Sequence, residues 1–257
     1  MKKILLLGAI ALSLNSYGQI PNYVPPTGLV AWYSFNGNAN DESGNGHNGN
    51  VNGASLSTDR NSVANSAFSF DGSDDYISIA DVLLPGGATS SSFAYWICPA
   101  DTVSVGKTII SDRYGVNCGY KYSFNIQVDN YPNYGMHIAS PWTANAISGT
   151  DTASPNLWTF VVGAYDVSSS EMELWVNGVS QGTTSSSIWN TSNNPTTIGA
   201  RDGCGIPVEG FFNGKIDDIG VWNRVLTSCE IEALYHSGVN PVSAGSDTAI
   251  CNGESVT

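Results

Sequence analysis

Positive charge is scarce in this sequence: nine Lys and Arg stand against 22 Asp and Glu, and only 12% of the 257 residues are charged at all. A chain so acidic is repelled by phosphate backbones, so nucleic acid is not an expected partner. Long apolar runs are missing too. The run from Ile4 to Leu14 spans about 11 residues, too few to cross a bilayer, and no later stretch approaches that need, so no membrane insertion is expected. Helix-forming windows are almost absent. Only three histidines occur, with no His-Glu-x-x-His pattern around them, so no zinc-protease helix is present.

What remains is rich in Gly, Ser, Asn, Thr and aromatics, a composition that favours short strands and tight turns. At the front, Met1-Lys2-Lys3, the apolar run and Ser16-Tyr17-Gly18 read as a signal peptide over residues 1–18 with cleavage near Gly18/Gln19, and therefore a protein that is secreted or held at the cell surface. Without that leader seven basic residues face 22 acids, a formal charge of −15. No Cys follows the apolar run to accept a lipid.

Period-two alternation recurs from Leu29 to Trp222 and predicts strands at Leu29–Phe35, Ala67–Phe70, Tyr76–Ile79, Phe93–Cys98, Thr108–Ser111, Tyr122–Val128, Trp158–Tyr165, Met172–Val176 and Ile216–Trp222. That many strands without interleaved helices predict an all-β antiparallel sandwich or barrel, of a size one domain commonly reaches. Asn177-Gly178 predicts a two-residue hairpin, because a type I′ turn needs positive φ at both central positions. One short helix is predicted near the end, with Thr227 and Glu230 forming a capping box, Ile231, Leu234 and Tyr235 on one face, and Gly238 as its stop.

The segment Phe35–Gly49 is dense in Gly, Asn and Asp. Such a loop either turns carbonyls and side-chain oxygens inward around a hard cation such as Ca²⁺ or holds itself together by Asx-turns. In Ile216-Asp217-Asp218-Ile219-Gly220-Val221-Trp222, strict alternation places Asp217 on the side of Ile219 and Val221, and Asp218 with Ile216 and Trp222. An inward Asp217 needs a metal, an Arg or several amide donors to offset its desolvation.

The motifs Leu29-Val30-Ala31-Trp32-Tyr33-Ser34-Phe35, Asp41-Glu42-Ser43-Gly44-Asn45-Gly46, Phe70-Asp71-Gly72 with Asp75-Tyr76-Ile77, Leu174-Trp175-Val176-Asn177-Gly178, and Gly214-Lys215-Ile216-Asp217-Asp218 with Trp222-Asn223-Arg224-Val225-Leu226 closely resemble the bacterial laminin-G-like members of the concanavalin-A-like lectin/glucanase superfamily. The resemblance runs over residues 24–238. It implies an antiparallel two-sheet jelly-roll sandwich with one short C-terminal helix, and one structural Ca²⁺ joining the first loop to the last strand. Carried over by position, it implies Asp41 and Asp217 as carboxylate ligands, with Ser43, Asn38 and Asn45 adding oxygens, while Asp71 and Asp75 fix turns. Residues 239–257 read as a linker followed by a segment, through Cys251-Asn252-Gly253, that looks like the opening of an immunoglobulin-like repeat of a bacterial surface protein, a second β domain continuing beyond Thr257.

Glucanases of this fold converge acids at Glu-x-Asp-x-x-Glu spacing. The nearest approach here is Glu171-Met172-Glu173, without the Asp and the third acid, so the chain is not expected to be an enzyme. Trp32, Phe93, Trp96, Trp158, Trp175 and Trp222 lie in alternating strands and are expected in the core or on a sheet face. Tyr114, Tyr131, Tyr134 and Trp142 fall in or beside Gly-, Asn- and Pro-rich loops, where a ring can stack on a sugar. With Cys251 assigned to the next domain, four cysteines allow three pairings; similar settings favour Cys118 with Cys204 and Cys98 with Cys229. The expected function is a non-catalytic recognition or adhesion module for glycan or a surface protein, within a larger polypeptide. The alternatives are an architectural spacer, or the accessory domain of an enzyme whose catalytic part lies downstream.

Overall fold

A computed structural model describes residues 20–84, 89–100, 107–112, 125–128, 133–137, 146–152, 154–185, 195–203 and 206–236; for the strands within 125–152 and for 202, 203, 206 and 207 it describes the backbone alone. In chain order the strands are β1 (Leu29–Tyr33), β2 (Gly49–Asn52), β3 (Ser55–Ser57), β4 (Ala67–Asp71), β5 (Tyr76–Ile79), β6 (Ser91–Pro99), β7 (Lys107–Ser111), β8 (Asn125–Val128), β9 (Asn133–His137), β10 (Ala146–Thr152), β11 (Thr159–Asp166), β12 (Glu171–Val176), β13 (Val179–Ser185), β14 (Thr196–Ile198), β15 (Arg201–Gly203), β16 (Ile206–Glu209) and β17 (Asn213–Trp222), followed by the helix α1 (Ser228–Tyr235).

One sheet runs β13-β12-β11-β6-β17-β4-β3, with β1 added against β17; the other runs β10-β9-β8-β7-β14-β5-β2. All pairings are antiparallel, and β15 and β16 form a separate hairpin. The predicted two-sheet jelly roll is thus observed. Side chains of the two sheets meet in a shared core: Phe93, Tyr95 and Ile97 of β6, Val161 of β11, Met172, Leu174 and Val176 of β12, and Ile216, Ile219 and Val221 of β17 cluster with Ile77 and Ile79 of β5, Ile109 and Ile110 of β7, and Ile198 of β14. Each such side chain contributes about 2 kcal/mol by leaving water.

A second apolar layer lies on the outer face of the first sheet. Trp32, Ala94, Trp96, Phe160, Val162 and Trp222 pack there under Ile231 and Leu234 of α1 and under Val24 of the N-terminal segment. Trp158 and Trp175 pack partly buried against this layer, so the strand tryptophans are packing residues, as their alternation predicts. The indole Nε1 of Trp222 donates to the Pro25 carbonyl at 2.8 Å, tying that segment down.

Local chemistry accounts for the connections. Asn177 and Gly178 have φ of 49° and 77°, which close the β12–β13 hairpin as a two-residue turn. Thr227 caps α1 and Glu230 reaches back to it, completing the capping box. A bidentate Arg224–Glu230 pair at 2.8 and 2.6 Å braces the same corner. The helix closes at His236; Gly238, its expected stop, lies outside the described residues, as do residues 1–19 and 237–257.

Candidate functional site

Two clusters hold the acidic residues singled out by sequence. The first is the 35–49 loop, which folds back along β1. Both oxygens of Asp41 accept two donors each: Oδ1 takes the backbone N–H of Trp32 (3.0 Å) and of Ser43 (2.9 Å), and Oδ2 takes the Ser43 hydroxyl (2.9 Å) and the His47 N–H (3.0 Å). Asn45 donates its amide to the carbonyls of Val30 (2.8 Å) and Leu29 (3.2 Å), Asn38 accepts from Asn40 N–H (2.7 Å), and Asn48 accepts from Asp41 N–H (3.0 Å). Tyr33, buried and pushed upward in pKa chiefly by that burial, donates its hydroxyl to the His47 carbonyl at 2.6 Å. The loop is therefore built from Asx-turns around one carboxylate.

The second cluster lies on β17. Its register against β6 pairs Asp217 with Trp96 but Gly220 with Ala94, so three steps on one strand match two on the other. This is a β-bulge, and Asp218 occupies it with φ of 46°. The extra residue resets the alternation: Ile216, Ile219 and Val221 all face the inter-sheet core, whereas Asp217 lies on the outer side with Trp96 and Trp222. The expected placement of Asp217 beside Ile219 and Val221 is corrected for that reason. Both carboxylates meet Arg60, from the loop between β3 and β4, at 2.8 Å for Asp217 and 2.7 Å for Asp218. The Arg60 guanidinium lies over the Trp96 ring, 4.7 Å from its centroid. Burial first, and the adjacent Asp218 second, push the Asp217 carboxyl up to about 9 in spite of Arg60. Burial raises Asp218 as well, against the pull of Arg60.

These geometries do not fit a calcium shared by Asp41 and Asp217. The oxygens of Asp41 are each met by two hydrogens of N–H or O–H donors, Asn45 turns its amide donor to the backbone, and Asp217 already has a guanidinium as its counter-ion. Ser43 does stand at Asp41, but as a donor to it; Asn38 serves a local turn. Among the described residues the carboxylates that approach one another within 4.8 Å in a group of three are Asp71, Asp74 and Asp75. They hold a turn, as expected of Asp71 and Asp75: Asp71 accepts from Ser73 N–H (2.7 Å) and Asp75 accepts from Asp71 N–H (2.8 Å).

The remaining predicted sites divide in the same way. Cys98 is a buried free thiol, its pKa raised by burial against the opposing charge of Lys215, so the expected Cys98–Cys229 bond is not formed; Cys229 is disulfide-bonded, but not to Cys98. Strand neighbours explain the error, since Cys98 stands opposite Lys215 in the middle of a sheet, far from the similarity of setting that suggested the pair. Cys118 and Cys204 lie outside the described residues, as do Tyr114, Tyr131 and Trp142. Tyr134 is placed near the start of β9, opposite Val128. Glu171 and Glu173 follow β12, where Glu173 accepts from the Ser180 hydroxyl at 2.7 Å. Among the described residues no helix is long and apolar enough to cross a membrane.

Arg60 was missed from the sequence. Its only local signal is a lone basic residue in a short polar loop, and its partner is 157 positions away.

The fold and the packing of both faces define a lectin-type jelly roll. The pattern of the Concanavalin A-like lectin/glucanases superfamily matches residues 71–232, and the chain belongs to that family. Among solved structures it is similar to domain 4 of AbnA, an extracellular arabinanase from Geobacillus stearothermophilus in complex with arabinotriose, at 18% identity and a TM-score of 0.62, covering 80% of this chain and 98% of that one. It is also similar to the binding domain of Paraclostridial Mosquitocidal Protein 1 (16%, TM-score 0.63, 84% of this chain and 53% of that one). A third likeness is to the ligand binding domain of botulinum neurotoxin serotype D in complex with N-acetylneuraminic acid (15%, TM-score 0.63, 84% and 52%). The chain spans about half the length of the two toxin domains. No curated protein matches it.

Proposed function

We propose that this chain is a non-catalytic, exported recognition module whose ligand is carbohydrate. The observation that carries this reading is the arabinanase domain: the likeness covers 98% of that chain, so a sandwich of this size with no catalytic partner attached is sufficient to hold an oligosaccharide there. The neurotoxin domain, which binds N-acetylneuraminic acid, uses the same architecture. At Glu171-Met172-Glu173, the nearest approach to a glucanase acid pattern, Glu171 is exposed and Glu173 is engaged by Ser180, which supports binding over hydrolysis. For the contact surface we favour the sheet containing β8, β9 and β10, on or beside which Tyr114, Tyr131, Tyr134 and Trp142 fall in sequence, because aromatic rings stack on sugar faces.

A glycan array followed by calorimetric titration tests this. Retention of arabino-oligosaccharide or sialylated glycan is expected, with Trp142→Ala and Tyr131→Ala each weakening it about tenfold, the loss of about 1.4 kcal/mol. No retention of any glycan at high protein concentration would replace this reading with that of an architectural spacer. Release of reducing sugar from a bound glycan would make the domain an enzyme.

A further inference from the structure

The Arg60 cluster does not balance electrically, and the imbalance is built into the strand. A bulge places two aspartates in succession on β17, and both turn to one guanidinium. The side chains of Asp217, Arg60 and Asp218 are only 3%, 10% and 12% exposed. The Asp218 backbone N–H also donates to Asp217 Oδ1, at 2.8 Å. Around them, Asp59 of the same loop and Glu42 of the loop after β1 add negative potential, and the Tyr23 phenol of the N-terminal segment faces Arg60. Lys215 of β17 turns away to the Thr58 hydroxyl at 3.1 Å. From β6 and α1 come the rings of Trp96 and Tyr235, stacked at 5.8 Å, with His236 beyond Tyr235. Among the described residues a second buried negative charge thus has no cation of its own to meet it, and proton uptake is the ordinary answer where two carboxylates share one site.

We propose that Asp217 and Asp218 hold one proton between them at neutral pH, with Arg60 as their resident cation, so that the 58–66 loop is clasped to the last strand in acid and released in alkali. The raised pKa of both acids agrees with this. A carboxyl whose folded pKa lies above its unfolded value stabilises the fold fully below the unfolded value, and that contribution is lost as pH rises through the folded one. For Asp217 the loss runs from the ordinary 3.8 up to about 9. The clasp needs no metal, because the guanidinium occupies the place a cation would take.

Thermal melting of the wild-type chain, with and without a chelator of divalent ions, tests the proposal directly. The melting temperature should fall by several degrees between about pH 6 and about pH 9.5, identically in both buffers. Asp218→Asn keeps a residue that tolerates the left-handed backbone and leaves Asp217 in a balanced pair with Arg60. Its curve should be flat over the same range and lie above wild type at the alkaline end. Arg60→Met, which keeps the apolar stem over Trp96, should lower melting most at alkaline pH. If Arg60→Met does not fold, the other two curves still decide. A wild-type curve without slope, a slope that survives in Asp218→Asn, or a chelator-induced drop in melting temperature would each overturn the clasp.

Discussion

Asp41 gathers four donors onto one side chain, so its replacement acts through what it strands. Asp41→Ala leaves the N–H groups of Trp32, Ser43 and His47 without acceptors, and we expect a loss of about 3 kcal/mol in urea unfolding, unchanged by added calcium. Gly220 is constrained for a different reason. A Cβ there would meet the Trp222 ring and, at 3.1 Å, that of Trp32. Gly220→Ala should therefore cost about 2 kcal/mol through overpacking of the outer layer, seen as a lower urea midpoint with an unchanged slope.

At the scale of elements, the capping box makes α1 a separable test. Thr227→Ala removes the acceptor for the Glu230 N–H and should cost about 1 kcal/mol by chemical denaturation. Glu230 itself is held below the usual carboxylate range: burial opposes this, but the hydrogen bonds from Arg224 and Thr227 prevail. Its contribution is therefore present above the unfolded value and lost as pH falls through the folded one. Thr227, Glu230 and the Asn177-Gly178 turn were legible in the sequence because each acts over a few residues. So were the strands whose bulky residues alternate, such as β5, β6 and β12. β2 and β3 were not, since Gly-Asn-Val-Asn and Ser-Leu-Ser are short and mostly polar, and they are ordered by neighbouring strands instead. The bulge at Asp218 was invisible in principle: period-two reading assumes no inserted residue, and one insertion exchanges the two faces upstream of it. The acids were found, and the reading of Asp217 left a metal, an Arg or amide donors open, because nothing near it in sequence announces Arg60.

Taken whole, the domain depends on two apolar layers, one between the sheets and one under α1 and the N-terminal segment. Leu234→Ala, in the outer layer, should cost about 3 kcal/mol and raise the binding of a hydrophobic dye before global unfolding, because the helix can lift from the sheet while the inner layer persists. The Arg60 loop, β6 and α1 meet at a single ring. Trp96 has the Arg60 guanidinium at 4.7 Å and Tyr235 stacked on it at 5.8 Å, whereas Trp32 and Trp222 are wholly enclosed elsewhere in the layer. That indole is consequently a natural optical gauge. Subtracting the emission of a Trp96→Phe variant isolates its signal, and the wavelength and intensity of that signal read out, in real time and without a label, whether the loop and the helix are still seated on the sheet.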